Sequence, residues 1–348
     1  MTDPAGTAAQ DILAAAQHLA QGNLVALPTE TVYGLGADAG NEAAVAKIFK
    51  AKGRPSDHPL IVHVARDTDI SDFTRDLPQA AEKLIAAYWP GPLTLILRKS
   101  ARIPDAVTGG QDSVGLRCPA HPLAQALLAE FARIGSGIVA APSANKFGHV
   151  SPTTAEHVKK EFGAAVGKSI LLLDGGPCEV GIESTILDLS GSAPVLLRPG
   201  AITPAQIADV IGIKPKTRAQ AENKGPVTRV SGDLASHYAP RTPLKLVPPV
   251  QLKKEVDALL ESGKRAAVLA LTTQADANVS PPGVGVRSAR RLVWITAPSN
   301  AEEYARDLYA NLRTLDAAGA AMIFAESPPA AKAWEAVRDR ITRAAAKG

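Results

Sequence analysis

The stretch NLVALPTETVYGLGA, residues 23–37, decides how the first half of the chain folds. Leu24–Leu27 is a short apolar run that Pro28 stops, which predicts a buried strand. The residues that follow are small or polar and include Gly34 and Gly36. We therefore expect a loop there, in which the backbone comes close to a ligand or to another segment.

Around this stretch, strands and helices are mixed rather than strictly alternating. A helix is predicted at residues 4–20, and Asn41 can cap a second helix that ends at Gly53. Further helices are predicted at 78–88, 122–131, 151–162 and 203–211, and strands at 60–65, 93–99 and within VGLRCP, GIVAAPSAN, SILLLDGG, STILDLS and PVLLRPG. These elements indicate an α/β domain over residues 9–212, built on a mixed, twisted sheet.

The rest of the chain divides into a polar segment and a second domain. Residues 213–243 contain four prolines and almost no apolar periodicity, which is typical of a passive linker or of a functional lid. From residue 244 to 348, strands alternate with helices, which predicts a small parallel sheet covered by helices.

Composition excludes several classes of protein. The chain has 348 residues, 46% hydrophobic and 21% charged, which excludes disorder and coiled coil. Its formal net charge of +4 permits an anionic ligand without requiring one. Two distant cysteines, Cys118 and Cys178, exclude a disulfide framework and a cysteine zinc site. The first residues do not resemble a signal peptide, and the longest apolar runs fall far short of the ~20 residues of a membrane helix, so we expect a cytoplasmic protein with no membrane contact.

Several well-known catalytic motifs are absent from the sequence. It has no P-loop, no HExxH and no GxSxG, and its seven histidines show no metal-ligand spacing. GLGADAG, residues 34–40, is only a weak match to a dinucleotide fingerprint. We therefore assign no metal ligand among the protein side chains.

Polar and cationic groups instead follow four of the predicted strands: PTET, Arg117, PSAN and the RPG that begins at Arg198. Ligands of α/β sheets usually bind outside the carboxyl ends of strands. Hydroxyls and guanidinium groups at such places suit a phosphate or a carboxylate. Lys52 and Arg54, in KGRPSDHPL, add two more cations.

Taken together, the motifs PTETVYGLG, Lys52 with Arg54, Ser143 with Asn145, GIESTILDL and LLRPG resemble the threonylcarbamoyl-AMP synthases, which have the YrdC-like fold. The segment SHYAPRTP and the domain after it resemble the two-domain branch of that family, whose second domain is Rossmann-like. The resemblance implies an ATP-dependent nucleotidyltransferase. An enzyme of that family would condense L-threonine, bicarbonate or CO2, and ATP to threonylcarbamoyl-AMP and pyrophosphate, with Mg²⁺ accompanying ATP. A separate transferase would then modify tRNA, with a weak tRNA contact possible for this chain.

The resemblance also implies roles for individual residues. Lys52 and Arg54 would act as the catalytic cations. The L-threonine contacts would be Thr31, His63, Arg117, Ala141, Ser184 and Thr185, with the choice between the last two left open. The ATP contacts would be Lys52, Arg54, His58, Ser113, Ser143, Asn145, Ser151, Arg198 and Tyr238. His58 stands where the family often has Asn, so its contact is the least expected of these.

Two other functions fit parts of the sequence. An RNA-binding module would use a basic concave surface, but the chain lacks interleaved aromatic residues and a strong charge excess. A carbamoyl-adenylate former for hydrogenase maturation usually carries acylphosphatase and zinc-finger parts, and the sequence has neither.

Overall fold

The computed structural model describes residues 4–223, 228–232, 236–274 and 291–346, with side chains from residue 9 onward. Contacts between residues divide the chain into two units. The first contains residues 1–147 and 152–233, and the second contains residues 148–151 and 234–348.

The first unit is built from helices and strands in mixed order. Its helices are α1 (Pro4–Ala20), α2 (Glu42–Lys52), α3 (Gln79–Tyr88), α4 (Asp105–Thr108), α5 (Pro122–Ile134), α6 (Ala155–Phe162), α7 (Pro204–Ile211) and α8 (Arg218–Glu222). Its strands are β1 (Leu24–Leu27), β2 (Gly34–Asp38), β3 (Ile61–His63), β4 (Leu93–Arg98), β5 (Ser113–Arg117), β6 (Val139–Ala140), β7 (Ile170–Leu172), β8 (Thr185–Asp188), β9 (Val195–Arg198) and β10 (Lys216–Thr217).

These strands form one mixed sheet in the order β10-β9-β8-β4-β5-β3-β6-β2-β1-β7. The pairings give β1, β4, β6, β7 and β8 one direction and β2, β3, β5, β9 and β10 the other. The α/β class with a mixed sheet is confirmed. However, the carboxyl ends before PTET and PSAN lie at one edge of the sheet, and those at Arg117 and Arg198 lie at the other. The four predicted polar groups therefore do not all lie at the same edge of the sheet. Contacts between the two pairs of groups must come from the connecting loops.

One sequence-based prediction fails at the glycines of PTETVYGLG. The sequence predicts a loop at residues 34–38, but they form β2, which pairs with β1 and β6. A Cβ on Gly36 would lie 2.9 Å from a Val139 methyl and 3.0 Å from a Leu27 methyl. The glycine therefore allows close packing of side chains over the sheet, and GLGADAG is not a dinucleotide loop.

Two other boundaries also differ from the prediction. The helix expected from residue 151 begins at Ala155, because the Thr154 side chain caps it by accepting from the His157 N–H. The segment after residue 212 is not wholly irregular: Lys216–Thr217 pairs with β9, and α8 follows behind a capping box at Thr217.

Apolar side chains cover both faces of the sheet in the first unit. The larger cluster includes Tyr33, Ile48 and Leu95, and a second one joins α1 and α5 through residues such as Leu19 and Phe131. A third, smaller cluster consists of Ile61, Ile96, Ile186, Leu197 and Val230. The last of these comes from the segment at residues 228–232, so part of the predicted linker contributes to the core of the first unit.

The second unit has its own sheet and its own core. Strands β11 (Leu244–Val247), β12 (Ala266–Ala270), β13 (Leu292–Thr296) and β14 (Met322–Glu326) are parallel, in the order β11-β14-β12-β13. Helices α9 (Pro249–Glu261), α10 (Ala301–Asp316) and α11 (Glu335–Ala345) connect or follow them. Among the described residues of both units, no helix has the length and apolar character needed to cross a membrane.

Candidate active site

Arg117, at the end of β5, is buried and ion-paired. Its Nη2 donates to Oε1 of Glu30 at 2.7 Å, and its Nε donates to the Gly91 carbonyl oxygen at 3.3 Å. His63 is its register partner on β3. Burial, reinforced by the nearby Arg117 charge, lowers the pKa of His63 to about 3. His63 is therefore neutral at physiological pH and adds no charge beside the guanidinium.

The Thr31 hydroxyl is oriented by Thr29. The Thr29 hydroxyl lies 2.7 Å from the Val32 carbonyl oxygen, which can only accept, and 2.8 Å from the Thr31 hydroxyl. Because Thr29 gives its single proton to the carbonyl, Thr31 donates to Thr29. The remaining lone pairs of Thr31 are then acceptors for a ligand that carries N–H or O–H groups.

Lys52 is turned onto the backbone of the Ser143–Asn145 loop. Its Nζ donates to the carbonyl oxygens of Ser143 at 2.6 Å and of Asn145 at 2.5 Å. Burial, with the charge of Arg54 as a smaller cause, holds the Lys52 pKa well below its usual value. In the structure Lys52 therefore stabilises the loop at residues 143–145. Its contact with ATP stays a prediction.

Arg54 and Arg198 meet at Ser231. Nη1 of Arg54 lies 3.4 Å from the Ser231 hydroxyl, and Nη1 of Arg198 donates to the Ser231 carbonyl oxygen at 2.9 Å. Both arginines are buried, although arginine is rarely fully buried without a partner. Two buried guanidinium groups therefore contact the same serine.

Ser184 and Thr185 have different surroundings. Thr185 donates its hydroxyl proton to the Ile202 carbonyl at 2.8 Å and accepts from the Ile202 N–H at 3.1 Å. The Ser184 hydroxyl lies 3.1 Å from Nη2 of Arg198 and 2.7 Å from the Thr94 hydroxyl. The geometry therefore favours Ser184 over Thr185 as the residue that faces a substrate.

A short loop links the Arg117 and Arg198 groups. Gly91 accepts from Arg117, and the carbonyl of the next residue, Pro92, accepts from the Thr185 N–H at 2.9 Å. Arg198 in turn donates through Nε to the Ser184 carbonyl at 3.0 Å. The carboxyl end of β5 and the carboxyl end of β9 are thus joined by consecutive contacts within the first unit.

The other predicted residues of the first unit lie around these groups. Ala141 donates its N–H to the Ile61 carbonyl at 3.0 Å, which leaves only its carbonyl for a ligand. The His58 ring packs edge-on against Phe147, with the ring centroids 5.4 Å apart. Ser113 lines an open pocket with about 300 Å³ of empty space, whose wall also includes Ile61, Gln111 and Ser231.

Ser151 and Tyr238 belong to the second unit. Both are buried there. Tyr238 has a left-handed φ of 62°, packs 5.6 Å from the Tyr309 ring and lies with its ring 5.6 Å from the Arg340 guanidinium carbon. These contacts describe how the HYAP segment is held in the second unit, and the predicted ATP contacts of Ser151 and Tyr238 stay predictions.

Sequence reasoning overlooked Glu30, Thr94 and Ser231. Glu30 stands inside PTET, and the need of a buried arginine for a carboxylate partner was a signal that could have pointed to it. Thr94 had no signal, since a threonine within an apolar strand is ordinary. Ser231 lies in the polar segment, where spacing gives no information on contacts.

The residues that the structure describes contain no group of three or more histidine, cysteine or acidic side chains arranged to hold a metal ion. The donor set around Arg54, Arg198 and Ser231 is cationic or neutral. Such a set suits the oxygens of an anion rather than a bare metal ion.

Comparison with known proteins identifies the family. Residues 17–200 match the Sua5, YciO and YrdC family model, described as telomere recombination, and residues 202–346 match the threonylcarbamoyl-AMP synthase C-terminal domain. The threonylcarbamoyl-AMP synthase of Bacillus subtilis is 41% identical over 350 residues, which cover 99% of this chain and 96% of that protein.

Pyrococcus abyssi provides both a sequence relative and a structural one. Its threonylcarbamoyl-AMP synthase is 38% identical over 339 residues, covering 95% of this chain and 92% of the relative. The crystal structure of P. abyssi Sua5 complexed with L-threonine matches with a TM-score of 0.83 and 37% identity, over 96% of this chain and 94% of that one. Matches that span both units and nearly the full length of the relatives favour an enzyme over an RNA-binding module. The chain is a member of the threonylcarbamoyl-AMP synthase family.

Proposed function

We propose that the first unit joins L-threonine, CO2 or bicarbonate, and ATP into threonylcarbamoyl-AMP, with release of pyrophosphate. The observation that carries the proposal is the group of four buried cations, Lys52, Arg54, Arg117 and Arg198, which the contacts place around hydroxyls and loop carbonyls. Fixed guanidinium and ammonium groups attract anions, and the substrates supply a carboxylate and phosphates.

The reaction brings two negatively charged reactants together. The threonine nitrogen forms a bond to the carbon of CO2 and loses a proton, which gives a carbamate. A carbamate oxygen then bonds to the α-phosphorus of ATP, while the bond from that phosphorus to the oxygen bridging to the β-phosphate breaks. Fixed cations and oriented dipoles lower the repulsion in this step.

The contacts support different ligands for two groups of residues. Arg117, neutral His63 and Thr31 would hold L-threonine: the guanidinium takes the carboxylate, and the Thr31 lone pairs accept from the amino acid's donors. Arg54, Arg198 and Ser184 would hold the carbamate and the phosphates. The structure of P. abyssi Sua5 complexed with L-threonine supports this amino acid as a ligand of the chain.

No side chain is required as a nucleophile. Burial raises the pKa of the Cys118 thiol to about 11 and that of Cys178 to about 12, so both thiols remain protonated at physiological pH. Mg²⁺ would arrive with ATP as a substrate complex, held by phosphate oxygens.

The product would pass to a separate transferase that modifies tRNA, and a weak contact of this chain with tRNA would accompany that transfer. We place the reaction in the cytoplasm, where tRNA is found. The two buried, free thiols are compatible with a reducing compartment.

The test is pyrophosphate release by the full chain with MgATP, measured with and without L-threonine and with and without bicarbonate. We expect release only when both are present, together with a nucleotide product that has the mass of threonylcarbamoyl-AMP. Release without threonine would contradict the proposal, and so would salt-dependent RNA binding with no ATP turnover.

A further inference from the structure

Glu30 uses both of its carboxylate oxygens inside the protein. Oε1 accepts from Nη2 of Arg117 at 2.7 Å, and Oε2 accepts from the Ala120 N–H at 3.0 Å. The Glu30 backbone is held as well, since its carbonyl accepts from the Val180 N–H at 2.7 Å. The carboxylate is therefore fixed at both oxygens and cannot turn without losing a hydrogen bond.

Arg117 is held on one side only. Its Nε and Nη2 donate to Gly91 and Glu30. Within the part of the chain that the structure describes, no group accepts from Nη1, and Nη2 has a second N–H. These N–H groups can bind a carboxylate in a bidentate manner, at the end of the guanidinium that the two contacts leave open.

The pair is almost completely buried, with 5% of the Arg117 side chain and 7% of the Glu30 side chain exposed. A buried pair of this kind does not by itself indicate a gain in stability, because desolvation offsets the attraction. The pair instead fixes the orientation of the Arg117 guanidinium group. Arginine has a long side chain with several rotatable bonds, and two fixed acceptors select one orientation of its guanidinium.

We propose that Glu30 is a positioning residue, which turns the Arg117 guanidinium so that its remaining N–H groups meet the carboxylate of L-threonine. The inference rests on the proposed function, since it requires L-threonine at Arg117. Each Glu30 oxygen already accepts a hydrogen bond from the protein, so the proposed role of Glu30 is exerted through Arg117.

The decisive variant is Glu30→Asp, which keeps the negative charge and shortens the side chain by one methylene. If position matters, the aspartate no longer reaches both Arg117 and Ala120, and the KM for L-threonine rises by about tenfold, the effect of losing one good hydrogen bond. The kcat and the KM for ATP should stay within about twofold of the wild type. Glu30→Gln, which has one acceptor oxygen where two are needed, should behave in the same way.

Two comparisons separate positioning from other roles. Glu179→Gln removes an exposed carboxylate from a nearby loop and should leave the KM for L-threonine unchanged. In an Arg117→Lys background, which already lacks the guanidinium, Glu30→Asp should raise that KM no further, because there is nothing left to orient.

Each outcome decides the question. A folded Glu30→Asp variant with wild-type KM for L-threonine overturns the inference, as do effects of Glu30→Asp and Arg117→Lys that simply multiply. If neither Glu30 variant folds where Arg117→Lys does, the pair serves stability, and the inference is likewise overturned. A wild-type chain without threonine-dependent pyrophosphate release would instead overturn the proposed function.

Discussion

At the scale of single residues, the candidate site contains charged groups that are largely shielded from water. Arg54 and Arg198 are buried, and both contact Ser231. Such groups stabilise developing charge more strongly than exposed ones, because little solvent screens them. The exposed ion pairs of the same unit, such as that of Arg102 with Asp72, lack this advantage.

Arg54→Ala should therefore lower kcat by about 10² or more, the size expected when an electrostatic stabiliser is lost. Pyrophosphate release at saturating substrates measures the effect. Arg102→Ala, which removes an exposed arginine, is the matched control and should retain wild-type activity. Equal activity of the two variants would show that Arg54 does not act on the reaction.

The lowered pKa of His63 predicts how the stability of the folded chain depends on pH. Its pKa is about 3 in the folded chain, below the ordinary value of 6.5, so the unfolded chain binds the proton more readily. Below pH 6.5 the unfolded chain takes up this proton before the folded chain does. The contribution of His63 to the free energy of unfolding is therefore complete above pH 6.5 and decreases as the pH falls toward 3. His63→Gln should flatten that part of the stability profile in denaturant titrations at several pH values. An unchanged slope would contradict the assigned pKa.

At the scale of elements, apolar runs with clear end signals were predictable from sequence. Helix α2 begins after its Asn41 cap and ends at Gly53, as expected. Residues 34–38 were not predictable as a strand, because glycines usually indicate loops and only tertiary packing on Val139 and Leu27 explains them. The predicted site residues could be named by resemblance, but the contact between Glu30 and Arg117 depends on a loop path that no spacing reveals.

Gly200 provides a prediction for the β8–β9 pair. A Cβ at this position would lie 2.4 Å from the Thr185 backbone nitrogen, so Gly200→Ala should displace the loop after β9 and cost about 1–3 kcal/mol of stability. Gly191→Ala, in the connection between the same two strands, meets nothing within 4 Å and is the control. Denaturant unfolding measures both, and similar stabilities would contradict the packing argument.

At the scale of the whole molecule, the two units have separate cores, and the segment at residues 228–232 packs into that of the first unit. Thr228 donates its hydroxyl to Asp188 at 2.7 Å, and the Arg229 N–H donates to Gln111 at 2.8 Å. Part of the segment that its composition indicates to be a linker or a lid therefore packs as a piece of the first unit.

The substitution Val230→Ala should show that residues 228–232 stabilise the first unit. It removes two buried methyl groups from the cluster with Ile61, Ile96, Ile186 and Leu197, at a cost of about 1.5 kcal/mol. Val250→Ala, at a position that is 90% exposed, should cost almost nothing. Equal unfolding midpoints of the two variants would mean that residues 228–232 do not add to the stability of the first unit.

The two outermost strands of the large sheet, β7 and β10, have three and two residues. Each therefore presents few unpaired backbone groups along its outer side. A neighbouring copy of the chain finds almost no template to extend, which guards a wide sheet against edge-to-edge aggregation. The short outer strands thus help to prevent this sheet from pairing with the sheet of another molecule.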